Sequence, residues 1–306
     1  MSEPSLHDRA LGAYLGLAVG DALGATVEFM TPGEIAAEYR VHRQLVGGGW
    51  LRLKAGHVTD DTQMSLALGG ALLACQGWDL RAAADALVAW MRSRPVDIGN
   101  TCRRGLRRII LEGSLCAEPA SDSAGNGAAM RNLPIVLATL GDTSACRRFS
   151  LEQAHLTHRH PLSDAATLSL ARVTQLLLDG AGRDACRGAA EELVAEHSEF
   201  RFDPWPGRTS GYIVDTVQTV FDGFFHTAGF EECLVNVVNR GGDADTTGAL
   251  AGQLAGAHYG VQAIPGRWLK RLDPEVGAAI RRQTEGLLAL AHSRRQTSEV
   301  PALSLL

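Results

Sequence analysis

The chain has 306 residues, and 45% of them are hydrophobic, so it can bury a large core as one big domain or two ordinary ones. Its formal charge of −5 argues against a protein that mainly binds the nucleic-acid backbone, since such binding needs a concentrated basic face. The apolar stretch at residues 10–20 ends at Asp21 and has no cationic leader, so we expect neither a signal peptide nor direct membrane insertion.

Six cysteines are scattered along the chain, with no Cys-x-x-Cys pair among them. This spacing is typical of reduced thiols and not of a disulfide framework. We therefore expect a cytoplasmic protein.

Helical periodicity dominates the chain, and no run of alternating apolar and polar residues predicts a sheet. The predicted helices cover residues 62–76, 80–92, 99–112, 132–140, 164–179, 184–197, 213–227, 230–239, 246–259 and 275–292. The segments 31–58, 113–131 and 200–211 are rich in Gly, Pro and Ser and long enough to be functional loops. The sequence predicts one all-α domain over residues 1–306, with 293–306 as a candidate disordered tail.

Glycines recur at every fourth residue in two helical stretches. They are Gly12, Gly16, Gly20 and Gly24 in the first stretch, and Gly248, Gly252, Gly256 and Gly260 in the second. A glycine inside a helix costs about 1 kcal/mol relative to alanine, so close packing must offset the loss. We expect these two helices at the centre of the bundle, and tight packing alone is enough to explain the glycines.

Two clusters of Asp and Thr lie at the starts of apolar helices. They are Thr59, Asp60, Asp61 and Thr62 in the first cluster, and Asp243, Asp245 and Thr246 in the second. One carboxylate would serve as a helix N-cap, and each cluster has two. If the two helices start side by side, the oxygens converge into a site for hard divalent cations. Spacing alone leaves both a metal site and paired N-caps open.

Two further acids stand near helix ends. Glu28 follows the first set of glycines, and Asp97 precedes Gly99 and Asn100. Each could be a general acid, a general base or a helix cap.

Three histidines and one small-residue loop are the remaining candidates. His155, His158 and His160 could bind zinc, but no further Cys or His lies at metal spacing, which favours a substrate contact or a capped turn. The loop at 121–127 has small residues that could wrap a phosphate, although no strand precedes it as in a P-loop.

Five segments resemble, in this order and across most of the chain, the motifs of the ADP-ribosylglycohydrolase family. They are GLAVGDALGATVE (16–28), HVTDDTQMSLAL (57–68), GNGAAMR (125–131), THRHP (157–161) and NRGGDADTTGALAG (239–252). The stretches RPVDIGNTCRRGL (94–106) and TSGYIVDTVQTVFDGFF (209–225) resemble the bacterial branch that acts on dinitrogenase reductase.

The resemblance implies an all-α orthogonal bundle with a dinuclear metal centre at the starts of central helices. The metal would be manganese, with magnesium as the alternative. The matching ligands, which spacing also nominates, are Thr59, Asp60, Asp61, Asp243, Asp245 and Thr246.

The resemblance also implies a substrate, which is ADP-ribose linked to an arginine of a target protein. The motifs place Glu28 and Asp97 beside the ribose, Asn100, Ser123, Gly125, Asn126 and Gly127 around the pyrophosphate, His158 near the distal part of the nucleotide, and Tyr212 against the adenine. We expect Asp97 to transfer a proton and Glu28 to position a water or a ribose hydroxyl. The sequence alone also allows these two roles to be exchanged.

The branch resemblance implies partners as well. The target would be ADP-ribosylated dinitrogenase reductase, the nitrogenase iron protein, and a PII-type signalling protein would draw the hydrolase to an ammonium-channel complex at the inner membrane. The alternatives are a hydrolase for serine-linked ADP-ribose or a free ADP-ribosyl metabolite, and a non-catalytic crystallin-like binding protein. The complete acid clusters, with Glu28 and Asp97, argue against a non-catalytic scaffold.

Overall fold

The computed structural model describes residues 3–299, and this part of the chain is built from α-helices with no β-sheet. The helices are α1 (Leu6–Gly24), α2 (Pro32–Tyr39), α3 (Asp60–Ala74), α4 (Leu80–Arg92), α5 (Asn100–Glu112), α6 (Leu133–Ala138), α7 (Thr143–His155), α8 (Pro161–Leu178), α9 (Arg183–Glu196), α10 (Ile213–His226), α11 (Phe230–Val238), α12 (Ala244–Tyr259), α13 (Gly266–Arg271) and α14 (Pro274–Glu299). The predicted all-α class is confirmed.

All ten periodic segments are helices, with ends that shift by a few residues. Helices α2, α7 and α13 lie outside the predicted set. Local capping explains two of them: Thr31 and Glu34 form a reciprocal capping box for α2, and the Asp142 carboxylate accepts the Ala145 N–H of α7 at 2.9 Å. Two of these three helices have only eight and six residues, too short for a periodic pattern.

The last helix extends beyond its predicted end. Helix α14 runs to Glu299, so the prediction of a disordered tail is wrong for 293–299. Residues 300–306 of that tail lie outside the described residues. The organisation of the whole chain as one domain stays a prediction.

The two glycine-rich helices pack against each other in opposite directions along the centre of the fold. Their facing pairs are Gly12 with Gly256, Gly16 with Gly252, Gly20 with Gly248, and Gly24 with Ala244. A methyl group on any of these α1 glycines would overlap the carbonyl oxygen of its partner on α12. The predicted central helices are therefore confirmed, and backbone contact explains why glycine is needed.

One glycine of the predicted series has a different function. Helix α12 ends at Tyr259, and Gly260 is its C-terminal cap with φ = 77°, a left-handed conformation that suits glycine. It therefore terminates the helix, and its backbone still lies against Gly12.

The antiparallel register fixes where the functional residues meet. Because Gly24 lies against Ala244, the end of α1 is beside the start of α12. The turn that carries Glu28 is therefore next to the Asp243–Asp245 segment. None of the helices in the described part of the chain combines the length and the apolar character needed to cross a membrane.

Candidate metal centre and substrate site

Two groups of three carboxylates meet where α1 ends and where α3 and α12 begin. In the first group, oxygens of Asp60, Asp61 and Asp245 all lie within 4.8 Å of one another. In the second group, oxygens of Glu28, Asp97 and Asp245 meet the same limit. Asp245 belongs to both groups, so Asp60, Asp61, Glu28 and Asp97 form one continuous site around it. The predicted ligand Asp243 is in neither group among the described residues.

The start of α3 is held by Asp21, a buried acid of the glycine-rich helix α1. Its carboxylate accepts the Thr59 N–H at 2.9 Å, the Thr59 hydroxyl at 2.9 Å, the Thr62 N–H at 3.1 Å and the Thr62 hydroxyl at 2.5 Å. It thus caps α3 from another helix, because Thr59 makes no side-chain cap of its own. Sequence reasoning missed this residue, although a carboxylate inside an otherwise apolar buried helix was the available signal.

The polar atoms around Asp61 lack partners that would satisfy them. Asp61 Oδ1 is buried without a hydrogen-bond partner in the part of the chain that the structure describes. The Thr59 hydroxyl donates its one proton to Asp21. Its oxygen therefore presents lone pairs to Asp61 Oδ2 and Asp245 Oδ2, which both lie 3.3 Å away. Such crowding of oxygens is unfavourable unless a cation lies among them, and the residues therefore fit a hard divalent metal.

Burial and mutual repulsion raise the pKa values of the clustered carboxyl groups. Burial is the main cause throughout, and it raises the pKa of Asp60 to about 7 with further help from the charge of Asp97. The pKa values of Asp61 and Asp245 lie well above the usual range for the same reason, increased further by neighbouring acids. The pKa of Asp243 is also raised, mainly by burial. A bound cation would relieve this repulsion.

Glu28 and Asp97 face the site with different degrees of restraint. Glu28 lies in the turn after α1 and accepts the indole N–H of Trp50 at 2.7 Å. Burial is the main cause that raises the pKa of Glu28 to about 8. Asp97 precedes α5, is half-buried, and accepts the N–H of Ile98 at 2.7 Å. Burial raises its pKa as well. Trp50 was not found from the sequence, because nothing in 31–58 links it to Glu28.

Asn126 connects the predicted phosphate loop to the carboxylates. Its side-chain amide donates to Asp243 Oδ2 and to the Thr216 hydroxyl, the latter at 3.0 Å. Its backbone N–H donates to the Gly211 carbonyl at 3.1 Å, and Gly125 forms a β-bridge with Tyr212. The predicted pyrophosphate loop and the predicted adenine contact are therefore fixed to each other and to the site.

His158 lies beneath this loop in a neutral form. Arg131 donates to the Thr157 hydroxyl at 2.8 Å, so the hydroxyl's own proton is directed to His158 Nδ1, also at 2.8 Å. Because Nδ1 accepts this bond, the ring proton of His158 is on Nε2. Burial, helped by the charge of Arg131, lowers the pKa of His158 to about 3. A methyl group on Gly125 would lie 3.1 Å from His158 Nε2, so glycine leaves room for the ring.

The other predicted contacts are placed less directly. The Ser123 hydroxyl donates to the Ala120 carbonyl at 2.6 Å, so this side chain stabilises the loop itself. Asn100 is exposed at the first turn of α5, and Tyr212 is 42% exposed. The remaining histidines are used elsewhere, because His155 bonds to Asp164 at 2.9 Å and His160 caps α8.

Comparisons with known proteins identify the family of the chain. The model of the ADP-ribosylglycohydrolase family matches residues 2–299. The chain belongs to the ADP-ribosylglycohydrolase family. ADP-ribosyl-[dinitrogen reductase] glycohydrolase of Rhodospirillum rubrum is 58% identical over 291 residues, which cover 95% of this chain and 99% of the relative.

Two further matches extend the comparison of this ADP-ribosylglycohydrolase. ADP-ribosylarginine hydrolase Tri1 of Pseudomonas putida is 34% identical over 281 residues, covering 87% of this chain and 74% of that protein. A solved structure described as an ADP-ribosylglycohydrolase-related protein complex superposes with a TM-score of 0.81 at 37% identity, over 94% of this chain and 99% of that chain. The predicted family is therefore confirmed from both sequence and fold.

Proposed function

We propose that this chain is a metal-dependent hydrolase that removes ADP-ribose from a modified arginine, and that its target is dinitrogenase reductase. The observation that carries the proposal is the pair of carboxylate groups joined at Asp245. The similarity to the Rhodospirillum rubrum enzyme supports the target, because that relative is named for dinitrogen reductase and is matched over nearly its whole length. Removal of ADP-ribose would reactivate nitrogen fixation.

The proposed metal site holds two divalent ions, with manganese favoured and magnesium as the alternative. The residues that would hold them are Thr59, Asp60, Asp61, Asp243, Asp245 and Thr246, and the geometry adds Glu28 and Asp97 to the surrounding carboxylates. When bound, such ions supply Lewis-acid chemistry that polarises ribose hydroxyls and water. The oxygen-only donor set suits hard cations of this kind.

We assign proton transfer to Asp97, and the positioning of a water or a ribose hydroxyl to Glu28. The indole of Trp50 fixes Glu28 in one orientation, which suits a group that orients a water or a ribose hydroxyl. Among the described residues no side chain bonds to Asp97, which is more exposed than Glu28 and can exchange a proton with the leaving guanidine or with solvent. Both carboxylates can also stabilise the positive charge that develops on the anomeric carbon.

The nucleotide part of the substrate would be held on the side of Asn126. The loop 123–127 provides close backbone approach to the pyrophosphate, and Asn100 lies at the nearby start of α5. His158 is neutral beneath the loop and can donate from Nε2, and the exposed ring of Tyr212 can stack on adenine.

The proposal also includes a place in cellular regulation. We expect a cytoplasmic enzyme that a PII-type protein recruits peripherally to an ammonium-channel complex at the inner membrane. Resemblance to the nitrogen-fixation branch supports these partners, and pull-down with a PII-type protein in the presence and absence of the channel would test them.

A side-by-side assay of two linkages tests the proposed chemistry. Arginine-linked and serine-linked ADP-ribosyl peptides are incubated with the enzyme and Mn²⁺, and released ADP-ribose is measured. We expect turnover of the arginine-linked peptide, and of ADP-ribosylated dinitrogenase reductase at a higher rate. Preferential cleavage of the serine linkage would replace this proposal with the alternative hydrolase.

A further inference from the structure

Two aromatic rings lie exposed beside the carboxylates, where burial cannot explain them. Phe29 is 63% exposed and Trp50 is 53% exposed, and their ring centroids are 5.4 Å apart. Large aromatic side chains that remain exposed next to a reactive site commonly serve as contacts for a partner. The neighbouring residue Glu28 belongs to the second carboxylate group.

The backbone holds both rings in a fixed relation to the site. Phe29 has φ = 62°, a conformation that is unfavourable for a phenylalanine, and its N–H donates to the Gly242 carbonyl at 2.6 Å. Gly242 in turn donates to the Met30 carbonyl at 2.9 Å, immediately before Asp243. Trp50 is fixed through its bond to Glu28. Trp50 is thus attached to Glu28, and Phe29 is attached to the segment that precedes Asp243.

A cavity of about 760 Å³ opens beside this pair. Its other walls include Met30, Tyr39 and the carboxylates of Glu34 and Glu38, with no Lys or Arg among the described residues that line it. Hydrogen bonds from the Thr31 backbone N–H and hydroxyl lower the pKa of Glu34, which therefore stays ionised at neutral pH. Aromatic faces with nearby negative charge are the environment that attracts a guanidinium.

The cavity is distinct from the residues predicted to bind ADP-ribose. Glu28 is the one predicted site residue among the described residues that line it. Cleavage of an N-glycosidic bond requires the enzyme to hold a group on each side of the anomeric carbon. Since the nucleotide is assigned to the Asn126 side, the cavity that Glu28 lines remains for the leaving group.

We propose that this cavity binds the arginine side chain and adjoining backbone of the modified protein, with Phe29 and Trp50 as the aromatic walls. The inference rests on the proposed function, because it assumes that the linkage being cleaved joins ADP-ribose to arginine. Glu38 and Glu34 favour the positive charge of the guanidinium and of basic neighbours. The cavity therefore selects the protein part of the substrate.

The variants leave the carboxylates of the site unchanged. Phe29→Asn removes the ring at a backbone conformation that asparagine tolerates, and Glu38→Lys reverses a charge on the wall. Glu191→Lys is the matched control, because it makes the same charge change at an exposed position on α9, outside the lining of this cavity. Trp50 is retained in all proteins because it bonds to Glu28.

Three measurements are compared for wild type, Phe29→Asn/Glu38→Lys and Glu191→Lys, each loaded with Mn²⁺. They are the calorimetric Kd for ADP-ribose, the steady-state kinetics on an ADP-ribosylated arginine peptide, and the Kd of the unmodified arginine peptide for the ADP-ribose-loaded protein. For the double variant we expect an unchanged ADP-ribose Kd, a KM raised about tenfold or more, and peptide binding weakened to the same extent. The control should match the wild type.

Each other outcome overturns a defined part of the account. If the double variant lost as much affinity for ADP-ribose as for the peptide, the cavity would be assigned to the nucleotide. Unchanged kinetics and peptide binding would show that the cavity contacts neither the nucleotide nor the arginine. A wild-type enzyme that leaves the arginine linkage uncut would refute the proposed function separately. In that case the Kd of the unmodified peptide still decides whether the cavity binds arginine.

Discussion

The carboxylate of Asp21 accepts both the backbone N–H and the hydroxyl of Thr59, each at 2.9 Å. This contact joins the glycine-packed centre of the fold to the first residue of the proposed metal cluster. Asp21 is fully buried on α1, and burial is the main cause that raises its pKa to about 6. The packing of two glycine faces therefore determines the position of a ligand segment on a third helix.

The variant Asp21→Asn tests this positioning role. An amide can accept on one side only, and its NH₂ group would face the donors of Thr59 or Thr62. We expect metal affinity to fall by about 10- to 100-fold and the free energy of unfolding by about 1–3 kcal/mol. Calorimetric Mn²⁺ titration and thermal denaturation measure the two effects.

A matched control separates metal positioning from helix capping. Asp142→Ala removes the cap of α7, and Asp142 is not part of either carboxylate group. This control should lose some stability and keep its metal affinity. If Asp21→Asn behaved in the same way, Asp21 would be a cap with no influence on the metal.

The variant Asp97→Asn tests proton transfer. The amide preserves shape and hydrogen bonding but cannot transfer a proton as a carboxyl group does. We expect the Kd for ADP-ribose to change little and kcat to fall by about 10²- to 10⁴-fold. Calorimetry and single-turnover kinetics measure these, and metal analysis is the control because Asp97 lies near Asp245. Loss of binding together with rate would make Asp97 a binding or structural residue.

Much of the site was predictable from local sequence, because its acids and glycines follow patterns with a physical cost. Two acids at one helix start exceed the need of a cap, and glycine at every fourth residue requires a backbone neighbour. These patterns predicted the clusters of Asp60 and Asp245 and the central pair of helices, which the structure brings together.

The residues that sequence reasoning missed depend on contacts far along the chain. Asp21 reaches Thr59 across 38 positions, and Trp50 reaches Glu28 across 22. No periodicity encodes such pairs, since each depends on how three helix ends are placed in space. Short helices were missed for a different reason, because α2 is stabilised by its capping box and packing more than by a long apolar pattern.

The glycine contact between α1 and α12 gives a stability prediction. Gly20→Ala would place a methyl group against the Gly248 carbonyl, so we expect the free energy of unfolding to fall by about 3 kcal/mol or more. Gly188→Ala is the control, since Gly188 is exposed in α9 with no atom within 4 Å of an added methyl group. It should gain about 0.5–1 kcal/mol. Urea denaturation measures the free energy of unfolding of both variants. Equal changes in the two variants would refute the backbone contact at Gly20.

Raised pKa values predict how pH acts on the metal-free protein. Burial raises the pKa values of Asp21, Asp60 and Glu28 in the folded protein to about 6, 7 and 8, above their usual values of 3.8, 3.8 and 4.5. Burial of these groups carries no penalty well below pH 3.8, where they are protonated in both the folded and the unfolded state, and the penalty grows as pH rises to about 8. Stability without metal should therefore fall between pH 5 and pH 8.

Metal binding should reverse this trend, because a divalent cation displaces the protons. The increase in Tm on adding Mg²⁺ or Mn²⁺ should be larger at pH 8 than at pH 5.5, and calorimetry in two buffers of different ionisation enthalpy should detect proton release. Equal increases in Tm at both pH values, without proton release, would show that these carboxyl groups are not the ligands.

The central claim is that Asp245 joins two carboxylate groups into one catalytic metal centre. The most direct test is metal content and turnover of an ADP-ribosylated arginine substrate by Asp245→Asn, compared with wild type before and after chelation and restoration with Mn²⁺. The account predicts a folded variant with reduced metal content and no activity, and a wild type whose activity disappears with the chelator and returns with Mn²⁺. Full metal occupancy in an inactive, folded Asp245→Asn protein, or undiminished turnover by metal-stripped wild type, would contradict it.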